Sequence, residues 1–356
     1  MNSKIQQNRS VASLDAQTAL RFFAALAVVF FHVPFVLPES VGKDVILGDG
    51  ALGVSFFFVL SGFILKHVSG REEVDWLHFY RRRMARVLPM HYLTLTVWTL
   101  MFFSGWGNPL QDKLNSGVAN VFVIHSFFNG PLFNLGFNAV SWSISVELFF
   151  YAIFPWLYQE KRAVFIVLAY AILFATIPKS LSNGINAAWP SFFYLNPLSR
   201  LFEFSGGIAL YQFYTACKPD RTIASCLQAL SIFLLLGSIY ATNGNDTHHR
   251  NLLLLLPFGL VIVSFAWEGI FQKAISTKPL ILLGEASFSL YMIHHMLFRV
   301  LDPIFERQAF PPTLALFLAV TASIIFSIAL FYLFERPVRL YISTGRFPTQ
   351  IIKLKT

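Results

Sequence analysis

The chain has 356 residues, of which 56% are hydrophobic and 13% are charged, and its formal net charge is +9 at pH 7. Soluble domains carry roughly 25% charged residues, so this composition excludes a soluble enzyme, a disordered chain and a nucleic-acid-binding module. Cys217 and Cys226 are the only cysteines, which excludes a small disulfide scaffold. The composition instead predicts an all-α fold, a polytopic bundle of helices that span a lipid bilayer.

Ten mainly apolar stretches are predicted to span, since a crossing helix needs roughly 20 apolar residues. The first five are residues 17–37, 45–65, 87–104, 140–158 and 163–177. The other five are residues 198–215, 222–241, 252–267, 279–300 and 313–334. This pattern predicts a membrane domain over residues 17–334, a cytoplasmic segment at 1–16 and a basic cytoplasmic tail at 335–356.

Positive charge sets the orientation, because cytoplasmic loops collect Lys and Arg. With ten spans and both termini in the cytoplasm, 19 of the 27 Lys and Arg residues fall on the inner side. If an eleventh stretch, residues 118–128, also spanned the membrane, the orientation of every later span would reverse and the basic C-terminus would face outward. We therefore predict that 118–128 is a short re-entrant or interfacial segment, and that the protein is a multi-pass protein of the cytoplasmic membrane.

Arg21 and His32 lie inside the first predicted span, where charged residues are costly and often functional. They are 11 residues apart, which is three helical turns plus about 20°, so they share a face at roughly 16 Å separation along the axis. The alternative is that Arg21 reaches lipid head groups and that His32 is a satisfied core histidine. The pair alone does not separate these readings.

Glu147 and His294 are the next polar residues that are predicted to lie inside the membrane. A carboxylate within a span must be paired or protonated, so Glu147 indicates either a packing salt bridge or the wall of a polar pocket. The ten-span arrangement predicts that His32, Glu147 and His294 lie at similar depth, where an imidazole beside a carboxylate would suit a general base. His295 follows His294 at about 100° around the helix, which makes the two histidines alternatives.

A basic run at residues 79–86 precedes the third predicted span. Such runs usually fix topology and contact anionic lipid. Arg83 and Arg86 are spaced i, i+3 and share a helix face, which suits a phosphate held by two guanidinium groups. The remaining histidines show no metal-ligand spacing, so no metal site is predicted.

Together these residues resemble the membrane-bound acyltransferase family 3. Arg21 and His32 match its first-helix pattern of Arg, ten residues and His, and Arg83 with Arg86 matches its Arg-Xaa-Xaa-Arg element. Residues 53–63 are similar to its second-helix motif, and residues 142–147 to Trp-Ser-Xaa-Ser-Val-Glu.

Two further motifs extend the resemblance over nearly the whole chain. Residues 284–294 are similar to Gly-Xaa-Xaa-Ser-Xaa-Ser-Leu-Tyr-Xaa-Xaa-His, and residues 335–337, Glu-Arg-Pro, to a terminal motif. One departure is Leu148, where the family often has an acidic residue or Gln. The resemblance implies a membrane enzyme without a tightly bound cofactor that moves an acyl group, usually acetyl, from acyl-CoA to a carbohydrate or glycolipid hydroxyl, as in O-acetylation of cell-envelope polysaccharide.

These observations combine into one mechanistic hypothesis. Acyl-CoA approaches from the cytoplasm, and its phosphates bind Arg83 and Arg86, with Arg82 as a further contact. Its arm passes Arg21 toward His32, which Glu147 orients, and His32 either removes the proton of the acceptor hydroxyl or carries the acyl group as a covalent relay. Four residues are candidates for oxyanion or acceptor contacts, namely Trp142, Ser143, Tyr291 and His294.

The main alternative is a transporter or a flippase for lipid-linked glycans, because ten spans with buried Arg, His and Glu also suit a proton-coupled carrier. The sequence shows no inverted repeat, and no pair of helices broken by Gly or Pro stands out, which argues against a carrier. A structural subunit that only binds partners would not need His32 and Glu147 inside the membrane.

Overall fold

The computed structural model describes residues 14–33, 48–69, 74–103, 114–128, 130, 133, 135–189, 192–243 and 247–345. This part of the chain is helical throughout and contains no strand. The first eight α-helices are α1 Asp15–His32, α2 Leu52–Ser69, α3 Trp76–Phe103, α4 Leu114–Val121, α5 Trp142–Leu157, α6 Glu160–Thr176, α7 Lys179–Ala188 and α8 Phe192–Leu195. The next eight are α9 Pro197–Ala216, α10 Arg221–Ala241, α11 Thr247–Ser264, α12 Ile270–Ile275, α13 Lys278–Glu285, α14 Ser287–Arg307, α15 Pro312–Leu330 and α16 Arg336–Thr344.

Among the described residues, three helices are long and apolar enough to cross a membrane, namely Asp49–Ser69, Arg221–Ala241 and Pro312–Thr344. A fourth crossing is formed if α13 and α14, bent by 60° at their junction, count as one broken span. The chain is thus an all-helical membrane protein, and the count of ten spans stays a prediction. Helices such as α5, with 16 residues, are short for a crossing of roughly 20.

The segment at 118–128 is not a crossing helix. Helix α4 has eight residues, which is about 12 Å of rise against a hydrocarbon layer of about 30 Å. The chain then turns at Val123, whose φ is 57°, and continues into a short 3-10 helix at His125–Phe127. The segment is therefore too short to span, as the charge distribution predicts.

Three predicted boundaries differ from the structure. Helix α3 begins at Trp76, so the basic run at 79–86 is helical rather than part of a loop. The predicted span at 279–300 is two helices that bend at Ala286, and this broken pair is the feature that the sequence did not reveal. The last helix crosses residue 334 without a break, because a π-helical turn, Phe331–Glu335, joins α15 to α16.

Helix α2 is held between α1 and α9, and small residues let the backbones meet. A Cβ added to Gly207 of α9 would lie 1.9 Å from the carbonyl oxygen of Val59, and one added to Gly62 would lie 2.0 Å from that of Phe204. Small residues at a helix interface permit such close approach in membranes. This packing explains why glycine is needed in the second-helix motif, and it holds α2, which lines the site described next, against α9.

Candidate active site

A cavity of about 210 Å³ lies between α1, α2, α3, α5 and α14. Its polar lining consists of Thr18, Arg21, Ser61, Arg83, Arg86, Ser143, Glu147, Tyr151, Ser287 and Tyr291. Apolar side chains, among them Phe57, Phe58 and Leu60, complete the wall. A concave, largely apolar pocket with a few convergent polar groups is typical of a small-molecule site.

Cations dominate one part of this cavity. Arg21, Arg83 and Arg86 line it together with the single carboxylate of Glu147, which leaves two positive charges in excess. The Tyr151 hydroxyl donates a hydrogen bond to Glu147. The Nε atom of Arg83 is buried and makes no hydrogen bond within the described residues. A buried donor without a partner beside excess positive charge favours an anionic ligand.

Arg82 faces away from the cavity. Its side chain is exposed, and it is not part of the lining. The i, i+3 spacing that places Arg83 and Arg86 on one face therefore also separates them from Arg82. Arg82 was predicted from the sequence as a further contact of the acyl-CoA phosphates, but the structure does not bring its side chain to the cavity.

His32 and His294 lie in direct contact. The Nδ1 atom of His32 is 2.9 Å from the carbonyl oxygen of Val28 and 3.2 Å from Nε2 of His294. Nδ1 of His294 is 3.2 Å from the carbonyl oxygen of Leu290. A carbonyl oxygen only accepts, so each Nδ1 carries the proton, and His32 donates to Val28 and to the His294 lone pair. This tautomer places the lone pair of His32 on Nε2.

Glu147 does not orient His32, which corrects the expectation of a carboxylate–imidazole pair. Its carboxylate is bonded to Tyr151 and belongs to the arginine cluster. The predicted common depth holds for His32 and His294, which are in contact, but not for Glu147, which lies on the cavity wall with the arginines.

His294 and His295 both lie beside His32, although the sequence treated them as alternatives. The ring centroid of His32 is 5.0 Å from that of His294 and 5.6 Å from that of His295. His32 comes from another helix and contacts both rings. A helical-wheel argument considers one helix only, so it does not reveal such a contact.

Ser143 and Tyr291 separate the cavity from the two contacting histidines. Their hydroxyl oxygens are 2.8 Å apart, and the Tyr291 hydroxyl donates to the carbonyl oxygen of Val140 at 2.9 Å. His294 follows Tyr291 by three residues, about 4.5 Å of helical rise. The cavity therefore ends one helical turn short of His294 and His32.

Trp142 is a packing residue in this structure rather than an open contact surface. Its side chain is buried, with ring centroids 4.9 Å from Tyr194 and 6.1 Å from Phe58. It belongs to the hydrophobic core that holds the start of α5 in place.

Sequence reasoning missed an ion pair behind Trp142. Arg200 and Glu203 are 0% and 1% exposed, and Nε of Arg200 is 3.1 Å from the Glu203 carboxylate. Arg200 also donates to the Ser55 hydroxyl at 2.8 Å. Its guanidinium carbon lies 5.3 Å from the rings of both Phe58 and Tyr194. Arg and Glu spaced i, i+3 within an apolar stretch were the available signal.

The comparison with known families identifies the class of protein. Residues 12–333 match the acyltransferase family 3, described as "Acyltransferase domain". The matched region covers far more than half of the chain and contains the cavity and the contacting histidines. The chain therefore belongs to this family and is an acyltransferase, which decides against the transporter reading.

Several curated relatives are similar over most of the chain. "Acyltransferase MdmB" of Streptomyces mycarofaciens is 28% identical, over 81% of this chain and 80% of the relative. "Peptidoglycan O-acetyltransferase OatA" of Listeria monocytogenes is 23% identical, over 92% of this chain and 56% of the relative. "Exopolysaccharide production protein ExoZ" of Rhizobium meliloti is 26% identical, over 81% and 89%. The chain thus spans just over half the length of OatA, and no solved structure matches it.

Proposed function

We propose that this protein transfers an acetyl group from acetyl-CoA to a hydroxyl of a cell-envelope carbohydrate. The observation that carries the proposal is a cavity that has a cationic cluster on its wall and ends about one helical turn from His32, a histidine whose tautomer is fixed. The carbohydrate acceptor is supported by relatives named for peptidoglycan O-acetylation and exopolysaccharide production. The donor, the acceptor and the acetyl group are parts of this proposal.

The donor binds through its phosphates at the arginine end. Arg83 and Arg86 present guanidinium groups to the cavity, and guanidinium binds phosphate oxygens in a bidentate manner. The pantetheine arm extends along the apolar wall past Arg21. The basic run fixes this end of the protein at the cytoplasmic face, where acetyl-CoA is available.

Chemistry takes place at Nε2 of His32. The lone pair takes the proton of the acceptor hydroxyl as its oxygen attacks the thioester carbonyl, and the tetrahedral intermediate then expels CoA as its thiolate. The imidazolium returns the proton to the thiolate. In a covalent relay the same lone pair attacks the thioester first. His294 positions the ring by accepting from Nδ1 of His32.

A donor assay tests the phosphate contacts. Purified protein in lipid nanodiscs is titrated with CoA, and the double variant Arg83→Gln, Arg86→Gln is compared with Arg82→Gln. The control removes one positive charge from the same part of α3, but from the exposed face. We expect CoA affinity to fall by at least about tenfold in the double variant and to stay near wild type in the control. Equal affinities for both variants would contradict the donor site.

An acetyl-transfer assay tests the reaction. The protein is incubated with radiolabelled acetyl-CoA and with peptidoglycan or exopolysaccharide fragments, and base-labile acetyl in the glycan is measured. Labelled glycan is the expected product. A relay would also release CoA without glycan, in an amount equal to the protein, whereas direct transfer would not. Transport of the fragments across a vesicle membrane without acetylation would contradict the proposal.

A further inference from the structure

The terminal motif has no role in the reaction described so far, although the structure connects it to the site. The π-helical turn Phe331–Glu335 precedes it, and such turns are frequent at functional sites. Glu335 is 3% exposed and accepts a hydrogen bond from Ser289 of α14 at 2.6 Å. The motif therefore joins the last helix to the helix that carries His294.

Glu335 also holds a cation. Its second carboxylate oxygen is 3.8 Å from Nη1 of Arg339, and the Arg339 guanidinium lies 5.9 Å from the ring of Phe331. The separation of 3.8 Å is an ion pair without a close hydrogen bond. Arg339 thus keeps N–H donors for a further acceptor while its position is restrained from two sides.

Helix α16 docks beside the start of α3. Nε of Arg81 donates to the carbonyl oxygen of Ile342 at 2.5 Å. Arg339 lies near enough to Arg86 and Arg21 for like-charge repulsion. A fourth arginine thus lies near the three that line the cavity. With Arg336, the five guanidinium groups exceed the three nearby carboxylates, Glu147, Glu285 and Glu335, by two charges. Like charges held together destabilise the empty site, and a polyanionic ligand would remove that cost.

We propose that Arg339 binds a phosphate group of the acyl donor and, with Arg83 and Arg86, completes the site for its nucleotide end. This inference rests on the proposed function, because it takes acyl-CoA as the donor. The terminal motif then has a physical role. Glu335 positions Arg339, and Ser289 couples that position to α14.

The test is binding of CoA and of pantetheine, which lacks the phosphates, to the full-length protein in nanodiscs of phosphatidylcholine alone. Arg339→Gln is compared with Arg221→Gln, which removes an exposed cation at the start of α10. We expect Arg339→Gln to weaken CoA binding on the order of tenfold and to leave pantetheine binding unchanged. Arg339→Lys, which keeps the charge but loses the planar fork, should fall between wild type and Arg339→Gln.

The ratio of the two affinities within one sample does not depend on how much of a variant is folded. An unchanged CoA affinity in Arg339→Gln, or an equal loss for pantetheine, would overturn the inference. If Arg339 instead binds a lipid phosphate, its replacement would change CoA affinity only in nanodiscs that contain phosphatidylglycerol, which also overturns it. If wild-type protein binds no CoA, the proposed function fails as well. A loss with Arg83→Gln, Arg86→Gln but not with Arg339→Gln overturns this inference alone.

Discussion

The ion pair of Arg200 and Glu203 provides a quantitative test of the packing around the site. We consider the single variants Arg200→Met and Glu203→Leu and the double variant that combines them. Both side chains are almost completely buried, with 3.1 Å between Nε and the carboxylate. Each single variant leaves one buried charge without its partner, and such a change costs about 3–5 kcal/mol.

The double variant should be far less destabilised than the sum of the two single variants. Replacing both members of a buried pair by apolar residues of similar volume is often neutral. Arg200 also bonds Ser55 and contacts the rings of Phe58 and Tyr194. Loss of the charged hydrogen bond to Ser55 costs about 1.5–3 kcal/mol, so the double variant should lose about that much, and Arg200→Met should be the worse of the single variants.

The assay is equilibrium unfolding in mixed micelles with increasing dodecyl sulfate, followed by tryptophan fluorescence. The free energies of unfolding of the four proteins form a double-mutant cycle. We expect a coupling energy of about 3 kcal/mol or more. Single variants that lose less than about 1 kcal/mol, or losses that simply add, would refute the view that these two charges compensate each other.

Two further predictions concern helix packing and pH. Gly207→Ala should prevent folding, because its Cβ would lie 1.9 Å from the Val59 carbonyl oxygen. Gly237→Ala, whose Cβ would have nothing within 4 Å, should raise the free energy of unfolding by about 0.5–1 kcal/mol. Thermal unfolding of both variants checks this prediction. At Glu160, outside the predicted span 163–177, burial raises the pKa, but the hydrogen bond and charge of Lys66, together with further hydrogen bonds, outweigh burial and lower the pKa. The Lys66–Glu160 pair therefore stabilises the fold above the ordinary pKa and is lost as pH falls through the lowered one, so Lys66→Met should flatten the decline of Tm between about pH 6 and about pH 3. An unchanged decline in Lys66→Met would contradict that assignment.

The residue types predicted much of the candidate site, but they did not predict which helices lie next to each other. Helical periodicity placed Arg83 and Arg86 on one face, and the structure puts both on the cavity wall. The pairing of His32 with His294 rather than with Glu147 depends on where α5 and α14 begin and bend. Hydropathy locates helix ends only to within a few residues, and a shift of one turn is enough to exchange one partner for another.

Arg200 and the bend at Ala286 show a second limit. The predicted span 198–215 and the observed helix, which begins at Pro197, both put Arg200 in the first turn, but the prediction did not show that this turn is buried in the core. A buried charge is acceptable there only because Glu203, Ser55 and two rings surround it. Ser55 and Phe58 of α2 and Tyr194 of α8 come from two other parts of the chain, so composition within one segment could not show this compensation.

The most direct measurement is acetyl transfer by His32→Ala in membranes supplied with radiolabelled acetyl-CoA. We expect the label in the glycan fraction to fall by at least about a hundredfold, with the variant folded and CoA still bound with wild-type affinity. His78→Ala, the same change at an exposed position on α3, should keep full activity. Near wild-type transfer by His32→Ala would contradict the assignment of His32 as the catalytic base.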